Sequence, residues 1–487
     1  MGAGGGMKEA RYVLAVRALC DFTTRQGDLD LRFTPGPSAQ EGIAGHIEVA
    51  TRRGSGYEAE ISLSGSFGAL LVRGRADGYD PILNRPEEIK TFRGDLGGMP
   101  DNHRHLHWAQ LRIYGHLLCQ SRHLSALQLA LVYYDIGKQK ETMLTEFATA
   151  ASLQQFFEQQ QCGRFLAWAE QEMAHRLRRD AQLAGLRFPH ADFRPGQRAL
   201  AAAVYQGASS GRCLLAQAPT GIGKTIGTLF PLLKASPPQR LDKLFFLSAK
   251  TSGRALALDA LATIRRSAPE LPLRVLELVA RDKACEHPDR ACHGESCPLA
   301  RGFYDRLPQA RAAAVAAAGG VMDREGLRTV AAAHQVCPYY LSQEMAQWAD
   351  LIVGDYNYYF DLTAMLHSMS MANQWRVGVL VDEAHNIIDR ARKMYSAEIA
   401  QNQLKALRKT APASLRRTLE RVNRQWNAVY KEQPQEYQRY AGLPDALLGA
   451  LQQAVADITD YMVEHPAALD SQLQNFYFDA LHFTRMA

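Results

Sequence analysis

Long apolar runs are what this chain most plainly lacks. No uninterrupted apolar stretch among its 487 residues is long enough to span a bilayer. No apolar segment follows a basic start either, so neither a membrane partner nor a signal peptide is expected. The chain has no clear internal repeat and no long low-complexity tract. Cysteine is scarce at eight residues, and Cys20, Cys119, Cys162 and Cys213 lie scattered among apolar neighbours. These four read as buried free thiols in a reducing compartment, a bacterial cytosol or nucleoid.

What is present is the composition of a folded enzyme. Hydrophobic residues make up 47% and charged residues 22%, and 54.1 kDa is too much chain for one ordinary core. A net charge of +6 and a sequence pI near 8.8 favour a polyanionic partner over an acidic or neutral one. Met1 to Gly6 read as a flexible tail, or as an upstream start with the natural one at Met7.

Residues 8–150 carry short β-like runs, Tyr57 to Leu63 and Ala69 to Arg73 among them, punctuated by glycine. Helical periodicity covers Trp108 to Cys119 and returns from Ala151 to Leu183, where its polar character suits a connector over 151–187. Strand and helix then alternate, with strands expected at Cys213–Gln217, Lys243–Ser248, Asp350–Val353 and Val377–Val381. Such alternation predicts an α/β domain with a parallel sheet over 188–280 and 350–386. A cysteine-rich insertion occupies 281–349, and amphipathic helices fill 387–487.

Residues 218–225 read Ala218-Pro219-Thr220-Gly221-Ile222-Gly223-Lys224-Thr225, a phosphate loop in which alanine replaces the first glycine. Backbone N–H groups must crowd a phosphate, and Gly221 and Gly223 leave the room. Lys224 would reach the β/γ-phosphates, and the Thr225 hydroxyl would ligate Mg²⁺. Downstream, Val379-Leu-Val-Asp382-Glu383-Ala-His385 carries two carboxylates to a strand end. Asp382 would hold the Mg²⁺ shell, Glu383 would orient the attacking water, and His385 would relay nucleotide state. A solvated loop is the bland alternative for each motif alone.

Four cysteines cluster as Cys285, Cys292, Cys297 and Cys337. Four thiolates can close a tetrahedral zinc site or hold a 4Fe–4S cube, and only the central gap has zinc-ribbon spacing. Arg281, Lys283 and Arg290 add positive charge nearby, for phosphates or simply for solvent.

In the amino-terminal part, Asp77 precedes Glu88 and Lys90 across a hairpin-like segment. Strand alternation would bring the three to one face, where two carboxylates can bind Mg²⁺ or Mn²⁺ and a lysine can assist water. A hairpin with solvent-facing charges is the alternative. Gly45-His46 lies upstream, and Gln110 and Tyr114 stand one helical turn apart. His103, His105 and His107 read as a polar loop ahead of the helix rather than a metal cluster.

From about residue 190 onward the motifs resemble the superfamily 2 helicases, in the DEAH-box branch of XPD and DinG. The resemblance carries Arg194 and Gln197, in Phe193-Arg-Pro-Gly-Gln197, over as adenine-side contacts. It places Lys250 and Thr251 at the DNA backbone, though Ser248-Ala-Lys-Thr251 departs from the usual form. It also favours iron–sulfur over zinc for the four cysteines, and implies ATP, single-stranded or forked DNA, movement 5′ to 3′, and a role in DNA repair or replication. Residues 10–150 resemble the RecB-like branch of PD-(D/E)xK nucleases, with His46, Asp77 and Glu88 as metal ligands, Lys90 as catalytic, and Gln110 and Tyr114 in support.

No second RecA-like domain is expected after His385, and residues 387–487 resemble a helical arch-type insertion. The expected whole is the front half of a helicase with a nuclease ahead of it, a fragment or one half of a split assembly whose other chain would supply the second motor domain. The alternatives are a non-catalytic DNA- and ATP-binding scaffold, or a nuclease with a helicase remnant as its DNA-binding arm.

Overall fold

A computed structural model describes residues 11–32, 36–465 and 470–487. The glycine-rich start ahead of Met7 lies outside the described residues. The chain divides into two compact units. One comprises the described residues up to Arg25, those from 36 to 167, and Ser396–Ala487; the other comprises Gln26–Arg32 and Trp168–Tyr395.

The first unit opens with β1 (Tyr12–Ala15), α1 (Val16–Thr23) and α2 (Ala39–Thr51). Ser38 caps α2 with a full capping box to Glu41. Then come β2 (Glu58–Phe67), β3 (Leu70–Asp80), β4 (Arg85–Phe92), α3 (Asp101–Arg122), β5 (Ala126–Asp135) and β6 (Lys140–Thr149). The sheet runs β1-β3-β4-β5-β6 with β2 also paired to β3. The β4/β5 pair is parallel, and α3 provides its crossover. All but two residues of β5 are buried, as a strand covered on both faces must be. The β3–β4 turn is fixed by the Asp80 carboxylate, which accepts from the N–H groups of Ile82 (3.0 Å) and Leu83 (3.1 Å).

His103, His105 and His107 lie inside α3 and not in a loop, because the helix starts immediately after Pro100 with Asp101 in its first turn. His107 Nδ1 is 3.0 Å from the Tyr133 hydroxyl, and burial first, then Lys90, lowers its pKa to about 3. It is a half-buried side chain whose neutral form burial favours.

The second unit contains α4 (Gly163–Ala184) from Trp168 onward, α5 (Gln197–Ser210), α6 (Lys224–Gln239), β7 (Lys243–Ser248), α7 (Thr251–Ser267), β8 (Val275–Glu277), β9 (Val321–Met322), α8 (Pro338–Met345), β10 (Leu351–Gly354) and β11 (Val377–Asp382). Its sheet is wholly parallel in the order β11-β7-β10-β8-β9. Every residue of β7 and β10 is buried, whereas β11 is half-buried at the sheet edge.

One expectation fails here. Cys213–Gln217 forms no strand: it pairs with no described strand, Leu215 is 90% exposed, and Cys213 is exposed too. Cys20, Cys119 and Cys162 are buried. An apolar run this short becomes a strand only by pairing, and composition does not supply the partner. The polar stretch expected to suit a connector is helical in α4, and part of its polar face is interior: Glu172, His175 and Arg179 are buried. His175 Nε2 lies 2.8 Å from Asp350 Oδ2, Arg179 Nη1 donates to Asp350 Oδ1 at 2.7 Å, and Glu172 pairs with Arg274. Buried charges survive where each is paired and hydrogen-bonded.

The rest of the first unit is helical: α9 (Gln401–Thr410), α10 (Arg416–Glu432), α11 (Asp445–Glu464) and α12 (Ser471–Met486). They close on a core of their own that includes Leu404, Leu419, Val422, Leu451, Ile458 and Phe476.

Candidate functional site

The glycine loop ends at the N-terminus of α6, whose first residue is Lys224. Gly221 (φ +84°) and Gly223 (φ +81°) both take the left-handed conformation that other residues resist. The loop is held from outside through its carbonyl groups. Arg194 Nη1 donates to Gly221 O at 2.7 Å, and Gln197 Nε2 donates to Gly223 O at 3.1 Å. Gln197 Oε1 in turn accepts from Arg194 N at 3.0 Å. A β-carbon on Gly223 would collide with Gln197. Arg194 and Gln197 therefore shape the loop, whatever else they touch. Ala218 and Ile222 are half-buried, Pro219 and Thr220 are exposed, and Thr225 sits half-buried in the first turn of α6.

Asp382 ends β11 in register with Ser248 at the end of β7. Burial first, then Glu383, raises its pKa. Gly253 of α7 comes so close that a β-carbon there would stand 3.0 Å from Asp382 Oδ2. Glu383 takes a left-handed backbone (φ +50°), unusual for a residue with a side chain. Its carbonyl is tied down by the Tyr356 hydroxyl at 3.1 Å and by Asn386 Nδ2 at 3.0 Å. Its carboxylate accepts from Lys224 Nζ at 3.1 Å and lies 3.4 Å from His385 Nδ1. The Lys224 hydrogen bond leads the causes that hold Glu383 below the usual carboxylate range.

The structure thus joins Lys224, Glu383 and His385 in one chain of contacts. Tyr356, which bonds the Glu383 carbonyl, and Arg390 were given no role from the sequence. Arg390 pairs with Asp355 at 2.9 Å and also donates to Ala249 O at 3.3 Å. The signal was available in Asp355-Tyr356, which directly follows an apolar strand.

Among the described residues, no group of three or more His, Cys, Asp or Glu side chains is arranged to hold a metal ion. The donor chemistry of two places can still be tested. Cys337 is the cap residue of α8, and the N–H groups of Tyr339 and Tyr340 point to its sulfur, the arrangement that favours a thiolate. Burial outweighs them and lifts the thiol to about 11, with Cys285 and Cys292 near enough to add to the rise. A cation among these sulfurs would reverse that balance, so the donor set fits a soft metal centre. Cys297 is buried, with Cys285 and Cys292 half-buried.

The second place is the β3–β4 hairpin. Register pairs Gly78 with Glu87, so Asp77 stands beside Glu88. Asp77 Oδ2 accepts from Ile89 N at 2.7 Å, Asp77 Oδ1 lies 3.6 Å from His46 Nδ1, and Lys90 Nζ is 2.6 Å from Glu88 Oε1. Burial raises Glu88 to about 7; Lys90 opposes the rise and Asp77 adds to it. Burial raises Asp77 as well, against Lys90 and the Ile89 N–H. His46 is lowered, by burial and then by Lys90. A buried carboxyl, a half-buried one and an imidazole, all hard O/N donors, suit a divalent cation. Gln110 is buried, and the Tyr114 hydroxyl accepts from Arg75 N.

Glu87, which sequence reading passed over, faces the other way. It is wholly buried against Arg53 Nε (2.8 Å), the Tyr57 hydroxyl (3.2 Å) and Arg85 Nη2 (3.0 Å). Adjacent glutamates on one strand must point to opposite faces, which was the signal for it.

A parallel α/β unit with a glycine loop at a helix N-terminus and paired acids at a neighbouring strand end is the architecture of a nucleoside-triphosphate-binding domain. Residues 273–404 match the DEAD_2 family model. That stretch contains the four clustered cysteines and the Asp382-Glu383 strand. The chain is similar in part to the Regulator of telomere elongation helicase 1 homolog of Anopheles gambiae, 31% identical over 144 residues, which are 27% of this chain and 14% of that one. The Fanconi anemia group J protein homolog of Gallus gallus is 29% identical over 154 residues, 28% of this chain and 12% of that one. The matches therefore span only a small part of these relatives. A solved structure titled XPD_Helicase aligns over 61% of this chain and 51% of its own with 17% identity and a TM-score of 0.37. The chain carries a DEAD_2 segment and is similar in part to those two curated helicase relatives.

Proposed function

We propose that this chain binds and hydrolyses ATP as the motor domain of a DNA helicase of the XPD and DinG kind, and carries a metal-dependent nuclease domain ahead of it. The observation that supports the motor reading best is the 3.1 Å contact between Lys224 and Glu383, which sets the phosphate-loop lysine beside the acid proposed to orient water. With Mg²⁺–ATP bound, Lys224 would neutralise the β/γ-phosphates, Thr225 and Asp382 would face the metal, and Glu383 would accept the proton of the attacking water. His385, exposed and touching Glu383, would report nucleotide state.

Cys285, Cys292, Cys297 and Cys337 would hold a 4Fe–4S cluster, a structural brace for the insertion. In the hairpin, His46, Asp77 and Glu88 would hold Mg²⁺ or Mn²⁺, which supplies an activated water. Lys90 would steady that water and the charge developing on phosphorus, while Gln110 and Tyr114 support the site. The location that suits these thiols is a reducing cytosol.

The deciding experiment measures ATP hydrolysis by the full chain with and without single-stranded DNA, and DNA cleavage with Mn²⁺. Turnover stimulated by DNA and lost in Glu383→Gln supports the motor. ATP binding without turnover in the wild type would leave a scaffold. Cleavage that survives Asp77→Ala would remove the nuclease reading.

A further inference from the structure

The four-helix bundle of α9–α12 separates its charges. Residues 401–432, spanning α9 and α10, hold eight Lys and Arg against two Glu. One of those acids, Glu420, is already paired with Arg408. Residues 445–486, spanning α11 and α12, hold six Asp and Glu against Arg485 alone. The bundle is thus close to neutral as a whole and strongly basic on one pair of helices.

On α10 the basic residues form a stripe. At 3.6 residues per turn, Arg417, Arg421, Arg424 and Lys431 fall within an arc of about 80° and extend for roughly 21 Å along the axis. The core-facing residues Leu419, Val422 and Trp426 lie on the opposite side. All four cations are exposed, and none forms an ion pair among the described residues. Lys405 and Lys409 are exposed one turn apart on neighbouring α9. A row of unpaired like charges raises the self-repulsion of the bundle, and a bound polyanion would relieve it.

Beyond the carboxyl end of α10 come two exposed aromatic rings, Tyr437 (79%) and Tyr440 (45%). A basic track that leads to aromatic rings is the chemistry that recognises single-stranded nucleic acid, by phosphate contact and base stacking. An acidic peptide would use the charges and leave the rings idle.

We infer that the α9–α10 face binds the phosphodiester backbone of a single strand, with Arg417, Arg421 and Arg424 as its central contacts. The inference shares a nucleic-acid partner with the proposed function, but the surface itself is defined by charge and exposure. It is tested with the full chain, no nucleotide and no divalent metal, by fluorescence anisotropy of a labelled single-stranded oligonucleotide across a salt series. The triple variant Arg417→Glu, Arg421→Glu, Arg424→Glu should weaken binding at least tenfold. The slope of log affinity against log salt should also flatten by about two, since each contact to a single strand contributes roughly 0.7. The triple Arg→Lys variant should bind within a few-fold of wild type, and all three proteins should melt alike because the positions are exposed.

If wild type binds and the Glu variant binds equally well with an unchanged slope, this inference fails and the proposed function stands. If wild type binds no nucleic acid at all, both fail. If polyglutamate competes as well as an oligonucleotide of equal charge, the surface serves an acidic protein and the assignment to nucleic acid is overturned.

Discussion

Lys224 Nζ donates to Glu383 Oε1 at 3.1 Å, across 159 residues of sequence, and both side chains are more than half withdrawn from solvent. The pair contributes little to stability, about 0–1 kcal/mol for so accessible a bridge. Its importance lies in what Lys224 must leave. A γ-phosphate entering the loop would draw the lysine away and free the Glu383 carboxylate for water. Glu383→Gln should keep ATP binding and lower turnover by about 10²–10⁴-fold, as expected for loss of a general base. Lys224→Ala should abolish nucleotide binding with an unchanged melting temperature. Isothermal titration with a non-hydrolysable ATP analogue, beside phosphate-release kinetics, separates the two. Equal loss of binding in both variants would contradict these roles.

A second prediction follows from Glu88, which burial raises from 4.5 to about 7. A carboxyl whose folded pKa lies above its unfolded one favours folding when protonated. In the absence of metal its contribution is complete below about pH 4.5 and is lost as pH rises through about 7. Metal-free protein should therefore lose thermal stability between pH 5 and 8. Glu88→Gln should flatten that dependence and melt higher than wild type at pH 8. Mn²⁺ should act in the opposite direction, stabilising wild type more as pH rises and the carboxyl ionises, and doing little for the variant. Calorimetric scans with and without Mn²⁺ would show it; a pH-independent metal effect would sink it.

The third concerns Asp350. Burial pushes its carboxyl up, but hydrogen bonds from His175 and the Arg274 N–H, with the Arg179 charge, outweigh that and hold it below the ordinary range. Asp350→Ala would leave buried His175 without its hydrogen-bond partner and buried Arg179 with Asp180 as its remaining carboxylate, a loss of up to about 3–5 kcal/mol for a broken buried pair. Urea unfolding followed by Trp fluorescence should show a correspondingly lower midpoint. A change near zero would mean that these charges reach water.

The same network shows where sequence reading stops. Local geometry was legible: the glycines at 221 and 223 announced left-handed backbone, and the apolar runs of β7 and β10 announced buried parallel strands. The Asp77–Glu88 neighbourhood was legible because strand alternation and one hairpin suffice to create it. The pairing of His175 with Asp350 was not, since it joins residues 175 positions apart and a charged helix face looks the same whether it meets water or counter-charges. Cys213–Gln217 was misread for the reciprocal reason: its residues announce apolarity, but pairing depends on where the sheet edge lies.

The last prediction is a 4Fe–4S cluster on Cys285, Cys292, Cys297 and Cys337. Anaerobically purified protein should be brown, absorb broadly near ~400 nm, and contain about four irons per chain. The N–H groups of Tyr339 and Tyr340 already point to the Cys337 sulfur, so this position should favour a thiolate once a cation is near. Cys337→Ser should remove most of the iron. Cys297→Ser, at a buried position, should remove it and also loosen the insertion, because Cys297 N bonds to His293 O at 2.9 Å and Ala300 N to Cys297 O at 3.0 Å within one compact loop. Limited proteolysis should then cut between residues 281 and 349 faster in the variants than in iron-loaded wild type, a readout independent of any activity. Stoichiometric zinc without iron after anaerobic reconstitution would assign the four thiols to a zinc site. Equal proteolysis of loaded and iron-free wild type would show that the centre braces nothing.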